Sequence, residues 1–300
     1  MITRTRAVLA AAAVMILGAG AVPTAAYAAD VDGSSQLATA VAGADAQDVA
    51  SASSAAAAPA NLRVVQHNTD QDEARWNRVV RLAESGNWDA VTAQEVCSGW
   101  VTALRANHPT WTVAFHEQVA KGDCPGGTKG NAAIHPGAGS AFDEAFDVAG
   151  EGKNFGIACA VFDKGTHRVH ACSTHFTVYD PNPAEVRLRQ ARRVKEITGD
   201  WIGRGHSVVV GGDLNTTPTL AALDPLYKHP EGRSNGRFIE AAQLANNETR
   251  RVGADTVAGR KIDYVFFSAN HTPLSTGADL TYEEPVDGKH KILKVKTTLH

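Results

Sequence analysis

Five segments place polar side chains where an apolar run ends. Asn68 follows residues 62–67, and Gln94 and Glu95 close residues 89–94. Thr174 and His175 end a third run, Asp213 and Asn215 follow Val208-Val209-Val210-Gly211-Gly212, and Asp263 lies within Lys261-Ile262-Asp263-Tyr264-Val265. A carboxylate after a buried valine run is costly unless it is solvated, paired or bound to a cation. Asp213 and Asn215, two apart, can face one side of an extended segment. Asn68, Glu95, Asp213 and Asn215 all offer oxygen, and oxygen-rich sites suit Mg2+, Mn2+ or Ca2+ better than zinc. A cation so held, beside a histidine and an aspartate, is equipment for phosphoryl chemistry: charge neutralisation, water activation and leaving-group protonation. Singly, each residue has a plainer reading. A strand-terminal acid is commonly a turn residue, Asp213 and Asn215 an Asx-turn, Asp263 a charge guarding an edge strand, His175 a satisfied histidine. The ordered set is what points to chemistry.

The elements that must position these residues are readable as patterns. Residues 62–67, 89–94 and 111–115 read as short strands. Residues 72–85 read as a helix, with Trp76, Val79, Val80 and Ala83 at three-to-four spacing and Gly86 to end it. The clearest helix spans 183–202, with Val186, Leu188, Ala191, Val194, Ile197 and Trp201 on one face and Pro183 at its start. Residues 207–212 read as a buried strand, 237–245 as helical, and 261–267 and 291–298 as late strands. With an antiparallel hairpin over 155–176, this is a mixed α/β domain rather than a doubly wound one.

The four cysteines allow three pairings. Gly165-Thr166 suits a two-residue turn with Gly first. That register sets Lys164 opposite His167, and Cys159 opposite Cys172 in a non-hydrogen-bonded pair, whose Cα atoms come within about 4.5 Å and so inside the disulfide range. Cys97–Cys124 is then the second bridge. No two cysteines stand two to four residues apart, which argues against a Cys-based zinc site.

The 300 residues carry 29 Lys and Arg against 32 Asp and Glu, a formal charge of −3, with 43% hydrophobic and 20% charged residues. This excludes a collagen-like repeat, a wholly disordered chain and a multi-span membrane protein, and leaves any nucleic-acid partner to a local patch or a metal. Arg4, Arg6, the apolar run over 8–22 and Ala26-Tyr27-Ala28 predict a signal peptide over 1–28 and a secreted protein, which fits oxidised cysteines; a short membrane anchor is the alternative. Residues 29–60, mostly Ala, Ser, Asp and Gly, predict a disordered linker. Residues 61–300 then form one domain.

In chain order, Val65-Gln66-His67-Asn68, Ala93-Gln94-Glu95, Gly130-Asn131-Ala132, Ser173-Thr174-His175-Phe176, Arg189-Gln190, Gly211-Gly212-Asp213-Leu214-Asn215 and Lys261-Ile262-Asp263-Tyr264-Val265 resemble the endonuclease/exonuclease/phosphatase superfamily, which includes DNase I and apurinic endonucleases. The resemblance covers 61–300. It implies an α/β four-layer sandwich: two mixed, mostly antiparallel sheets packed face to face, helices outside, and an active site at one rim. It implies Glu95 with Asn68 as the divalent-metal site and Asp213 as the residue that orients or deprotonates water. By the same resemblance Asn215 donates to a phosphate oxygen, His175 binds phosphate or donates a proton, and Asp263 orients a second catalytic histidine.

One departure stands out. The family usually ends with Ser-Asp-His in its last strand, supplying a metal carboxylate and the second histidine, whereas this chain ends Lys296-Thr297-Thr298-Leu299-His300. The expectation is a sequence that stops short of that motif and leaves Asp263 without its partner. His300 lies a plausible distance after Asp263 but lacks the preceding Asp, and His290, between Lys289 and Lys291, reads as part of a solvated basic face. Gly126-Gly127-Thr128-Lys129-Gly130 lacks the spacing of a nucleotide-binding loop and reads as a plain loop. Arg187, Arg189, Arg192, Arg193 and Lys195 on one helix read as a solvated face in preference to a phosphate-backbone patch. Superfamily members cut DNA, RNA, sphingomyelin and inositol phosphates. No compact aromatic turn for entering a membrane is visible, and acids surround Phe142 and Phe146. The expected function is a secreted, metal-dependent phosphodiesterase, a nuclease acting on DNA or RNA as a monomer with no stable protein partner. The alternatives are a sphingomyelinase-type or small-molecule phosphoesterase, and a non-catalytic binding protein.

Overall fold

The computed structural model describes residues 58–119, 124, 127–148, 154–178, 182–230, 232–285 and 288–300. The expected signal peptide, and the expected linker up to residue 57, lie outside the described residues.

Two six-stranded sheets form the centre. The first contains β1 (Ala60–Asn68), β2 (Ala90–Cys97), β3 (Thr112–Val119), β4 (Lys129–His135), β11 (Asp279–Glu283) and β12 (Ile292–Leu299), in the order β11-β12-β1-β2-β4-β3. The second contains β5 (Ser140–Ala145), β6 (Gly156–Lys164), β7 (His167–His175), β8 (Ser207–Asp213), β9 (Phe238–Glu240) and β10 (Asp263–Ser268), in the order β5-β6-β7-β8-β10-β9. β1 pairs with β2, and β7 with β8, in parallel; the other pairings are antiparallel.

Apolar side chains lie between the sheets: Leu62, Val64 and Val295 of the first meet Phe162, Val169, Val209 and Val265 of the second. Helices α1 (Glu73–Glu84) and α2 (Ser98–Asn107) cover the outside of the first sheet, where Trp76, Val79 and Leu82 pack with Val101 and Leu104 on Val65, Val91 and Ile134. The long helix α3 (Pro183–Gly203) covers the second through Ala191, Val194 and Ile197 on Val208, Val210 and Phe266. The four-layer sandwich is therefore the observed architecture. Local chemistry starts these helices. Asp72 caps α1 by accepting from the Arg75 amide at 2.9 Å, and Pro183 occupies the first turn of α3. Close approach of the sheets needs Gly211, where a Cβ would fall 2.0 Å from Oγ1 of Thr92.

The hairpin register agrees with expectation: Lys164 faces His167 and Cys159 faces Cys172. Both expected disulfides, Cys97–Cys124 and Cys159–Cys172, are formed. Other elements differ. The helix expected over 237–245 begins as β9 and only then becomes α4 (Ala241–Asn246), because Glu240 and Gln243 form a capping box there. Residues 129–135, expected as loop followed by an unassigned stretch, form β4 from Lys129 onward. β12 is an interior strand, paired with β1 on one side and β11 on the other.

Candidate active site

The first sheet brings Asn68 and Glu95 to the rim from the ends of the parallel neighbours β1 and β2. Glu95 sits in a bulge between Ala93 and Val96, with φ at 54°. That left-handed conformation costs on the order of 1 kcal/mol for a non-glycine residue and turns the side chain out of the strand's alternation. Thr69 Oγ1 donates to the carbonyls of Gln94 and Glu95 at 3.0 and 3.1 Å and braces the bulge.

The second sheet supplies the rest. Asp213, His175 and Asp263 are neighbours across β8, β7 and β10, since Asp213 pairs with both of the others. Asp213 lies with its Oδ2 3.6 Å from Nε2 of His175 and 3.7 Å from Nε2 of His290, and it accepts from Nδ2 of Asn68 at 3.0 Å. Asn215, at φ 50°, folds back: its amide N–H donates to Oδ1 of Asp213 at 2.9 Å, and its Nδ2 stands 3.0 Å from Nε2 of His175 and from the Phe176 carbonyl. The Asx-turn and the site residue are thus the same feature. All six residues singled out in the sequence converge.

Several expectations are corrected here. His290 is not on a solvated basic face: its side chain is only 15% exposed, and its Nδ1 lies 3.0 Å from Oδ2 of Asp263. Asp263 does not lack a histidine partner, nor does it guard an edge, because β10 lies between β8 and β9. His300 lies elsewhere, its backbone bonded to His271. Lys129 likewise is not part of a plain loop; its Nζ contacts Oε2 of Glu95 at 2.6 Å. On α3, Arg189 pairs with Glu185 and Arg193 with Glu196, as a solvated face should, but Arg187 reaches the Asn215 carbonyl at 2.5 Å.

Below the rim a buried polar chain ties the sheets together. Nε2 of Gln66 donates to Oε1 of Gln94 at 2.8 Å and to Oδ1 of Asp263 at 3.4 Å. Nε2 of Gln94 donates to Oγ of Ser173 at 3.0 Å, which donates to the Ala93 carbonyl at 2.8 Å. Partners of this kind are what make buried Asp263 and Asp213 tolerable.

The electrostatics separate the acids. Burial opposes ionisation of Glu95, but the charges of His175 and Lys129, with hydrogen bonds from Lys129 and Asn68, outweigh it and hold this carboxyl at about 2. Burial pushes the Asp213 carboxyl up to about 7; the Asp263 charge adds to this and His290 opposes it. Burial would lower His290, but its hydrogen bond to Asp263 and the charges of Asp263, Asp213 and Glu95 raise it to about 9. Two carboxylates that share the Asn68 amide as donor but differ so much in proton affinity suit different tasks.

Asp213, Asp263 and His290 bring one potential ligand atom each within 4.8 Å of one another, so a metal could be held there. Glu95 is the other candidate. It is ionised and at the rim, and its Oε2 already faces a cation, the Lys129 ammonium, which marks where a hard ion fits. Asn68 directs its amide nitrogen at Glu95 and Asp213, its oxygen accepting from the Asp70 amide at 2.9 Å.

Residues 60–285 match the Endonuclease/Exonuclease/phosphatase family. The chain belongs to this family. Its members are phosphoester hydrolases and generally depend on a divalent metal ion. The endonuclease/exonuclease/phosphatase fold is also shared with solved structures of low identity. An endonuclease/exonuclease/phosphatase from Bacteroides vulgatus is 18% identical with a TM-score of 0.57, covering 80% of this chain and 99% of that one. The human Nocturnin catalytic domain is 12% identical with a TM-score of 0.58, covering 80% and 95%. A humanised D. rerio TDP2 is 15% identical with a TM-score of 0.56, covering 80% and 99%. No curated protein matches the chain by sequence. His290 lies beyond the stretch matched to the family, in Gly288-Lys289-His290 just before β12. A histidine two residues before the apolar alternation of β12 is the signal that could have revealed it.

Proposed function

We propose that this protein is a secreted phosphodiesterase that hydrolyses DNA or RNA with a divalent ion, Mg2+ by the hardness of its donors, with Mn2+ or Ca2+ as substitutes. The observation that carries the reading is the Asp213 carboxylate, buried between the imidazoles of His175 and His290 and beside Glu95. Glu95, oriented by Asn68, would hold the ion, which neutralises phosphate charge when bound. Asp213 positions a water and takes its proton; a base near 7 is well matched to neutral pH. His290, protonated at neutral pH and fixed by Asp263, points Nε2–H at a phosphate oxygen whose charge grows in the transition state. His175 stands on the other side of Asp213 with its Nε2 accepting from Nδ2 of Asn215, and protonation of that nitrogen would let the ring bind a phosphate oxygen.

Basic groups around this rim support a polyanionic substrate. Lys129 stands on Glu95, and Lys289 and Arg75 stand on Asp70. The two disulfides and the N-terminal pattern support export. The test is hydrolysis of plasmid DNA, single-stranded RNA and sphingomyelin in parallel by the protein and by Asp213→Ala. Nucleic-acid cleavage lost in the variant supports the reading. Cleavage of sphingomyelin alone moves the protein to lipid phosphodiesters, and full activity in the variant removes Asp213 from the mechanism.

A further inference from the structure

Lys129 is fixed on Glu95 from several directions. It opens β4 directly opposite Cys97 of β2, two residues past the Glu95 bulge. The preceding Thr128 accepts from the Ser98 amide at 2.9 Å, and the Cys97–Cys124 disulfide ties the end of β2 to the segment that leads into β4. The following residue, Gly130, lies so close to β3 that a Cβ would fall 2.0 Å from the His116 carbonyl oxygen. The backbone at Lys129 therefore has little freedom, and its ammonium meets Oε2 of Glu95 at 2.6 Å. Nε2 of Gln71 lies 3.4 Å from the same oxygen, and Asn68 takes Oε1 at 3.3 Å. Both oxygens of this carboxylate have partners, and its closest partner is a cation on a flexible stem.

We infer that Lys129 is a switch residue: it occupies the Glu95 carboxylate until a phosphodiester anion draws its ammonium away, so that divalent ion and substrate bind with positive coupling. The inference rests on the proposal that Glu95 holds the ion. The physical argument is exclusion. A divalent ion bound through oxygen at about 2.0–2.6 Å from Glu95 would face a like charge if Lys129 stayed where it is. An ion taking Oε2 therefore competes with Lys129, and an anion nearby would stabilise the displaced ammonium. The scissile phosphate, arriving against Asp213 and the two histidines, is that anion. Coupling of this kind is reciprocal: whatever the phosphate adds to ion affinity, the ion adds to phosphate affinity. Asp70 at the same rim is likewise met by cations, Lys289 and Arg75.

The test reads ion binding without turnover. Mn2+ is titrated into the intact protein, Lys129→Gln, Lys129→Arg and Glu95→Gln, followed by electron paramagnetic resonance, with and without a phosphorothioate-linked oligonucleotide. Lys129→Gln should bind Mn2+ roughly tenfold tighter than the parent in the absence of oligonucleotide. The oligonucleotide should tighten the parent but not Lys129→Gln. Lys129→Arg, which keeps the charge, should stay weak, and at saturating Mn2+ the KM of Lys129→Gln should rise more than its kcat falls. Equal Mn2+ affinity in parent and Lys129→Gln overturns the switch while leaving the Glu95 ion site intact. Mn2+ binding that survives Glu95→Gln overturns the ion site and the switch together.

Discussion

Nδ1 of His290 lies 3.0 Å from Oδ2 of Asp263, across 27 residues of sequence. The contact joins the loop before β12 in one sheet to the first residue of β10 in the other. It fixes the ring so that Nε2 faces Asp213 at 3.7 Å, and it supplies the charge that keeps the ring protonated. The placement of His290 in this candidate site therefore depends on how the two sheets are packed.

His290→Ala should lower kcat by roughly 10²–10⁴-fold, the range for a lost proton-transferring or oxyanion-stabilising group. Asp263→Asn should cost less, because it acts through His290 without meeting the reacting atoms. Its distinguishing sign is in the pH profile: losing the Asp263 charge lets His290 deprotonate earlier, so the alkaline limb moves to lower pH. Steady-state rates from pH 5 to 10 decide this. An Asp263→Asn limb that does not move would mean that Asp263 is only a structural acid.

The pH dependence of the unaltered protein follows from the same groups. Asp213 must be ionised to take a proton, so kcat/KM should climb as pH passes about 7. His290 must be protonated to donate, so kcat/KM should fall as pH passes about 9. The two groups are 3.7 Å apart, and the limbs belong to the coupled array. Residual activity of His290→Gln gives the check on sign. His290 carries the positive charge that opposes the rise at Asp213, so removing it should move the acid limb to higher pH.

Much of this site is legible in sequence because each part is local. Val208 to Val210 announces a buried strand, and Asp213 beyond it has to be paired or functional. Gly165-Thr166 fixes the hairpin, and with it the Cys159–Cys172 pairing. His290 was not legible, because its meaning lies in Asp263 on another sheet, and Lys289 and Lys291 on either side mimic a solvated run. Lys129 was hidden in the same way: Glu95 is 34 residues earlier, and glycines before it suggest a loop. Helix α2 buries only Val101 and Leu104, and β5 alternates exposed and half-buried residues, so neither carries a strong period.

The disulfides lead to a stability prediction. Cys97–Cys124 spans 27 residues and holds the end of β2 next to Glu95 and the strand that carries Lys129. Replacing both cysteines by serine should cost about 3.5 kcal/mol, by the loop-closure estimate. Urea unfolding measures the loss, and activity should fall further than for the Cys159/Cys172 pair. That second bridge spans 13 residues within a hairpin already paired along its length, far from Glu95 in sequence. Equal effects of the two pairs on activity would count against a role for Cys97–Cys124 in placing Lys129.

His67 should make the fold acid-sensitive. It is 1% exposed in β1, and burial lowers it to about 4, with the Asp263 charge only partly opposing this. In the unfolded chain a histidine takes its proton near 6.5. Between those values the unfolded state binds more protons than the folded one, so stability falls as pH drops from about 6.5 to about 4 and is insensitive to this group above that window. Full expression of the shift is worth on the order of 3 kcal/mol. Asp213 works in the opposite direction over part of the same range, since its raised carboxyl takes up a proton in the folded state first. A single stability curve therefore mixes the two. The informative quantity is the difference between the protein and His67→Gln, measured by urea unfolding at half-unit steps from pH 4 to 7.5. The variant should start less stable at pH 7.5, because its new side chain fits the site less well, and the gap should close as pH falls through the window. A gap that stays constant from pH 7.5 to 4 would show that His67 is not held neutral in the folded protein.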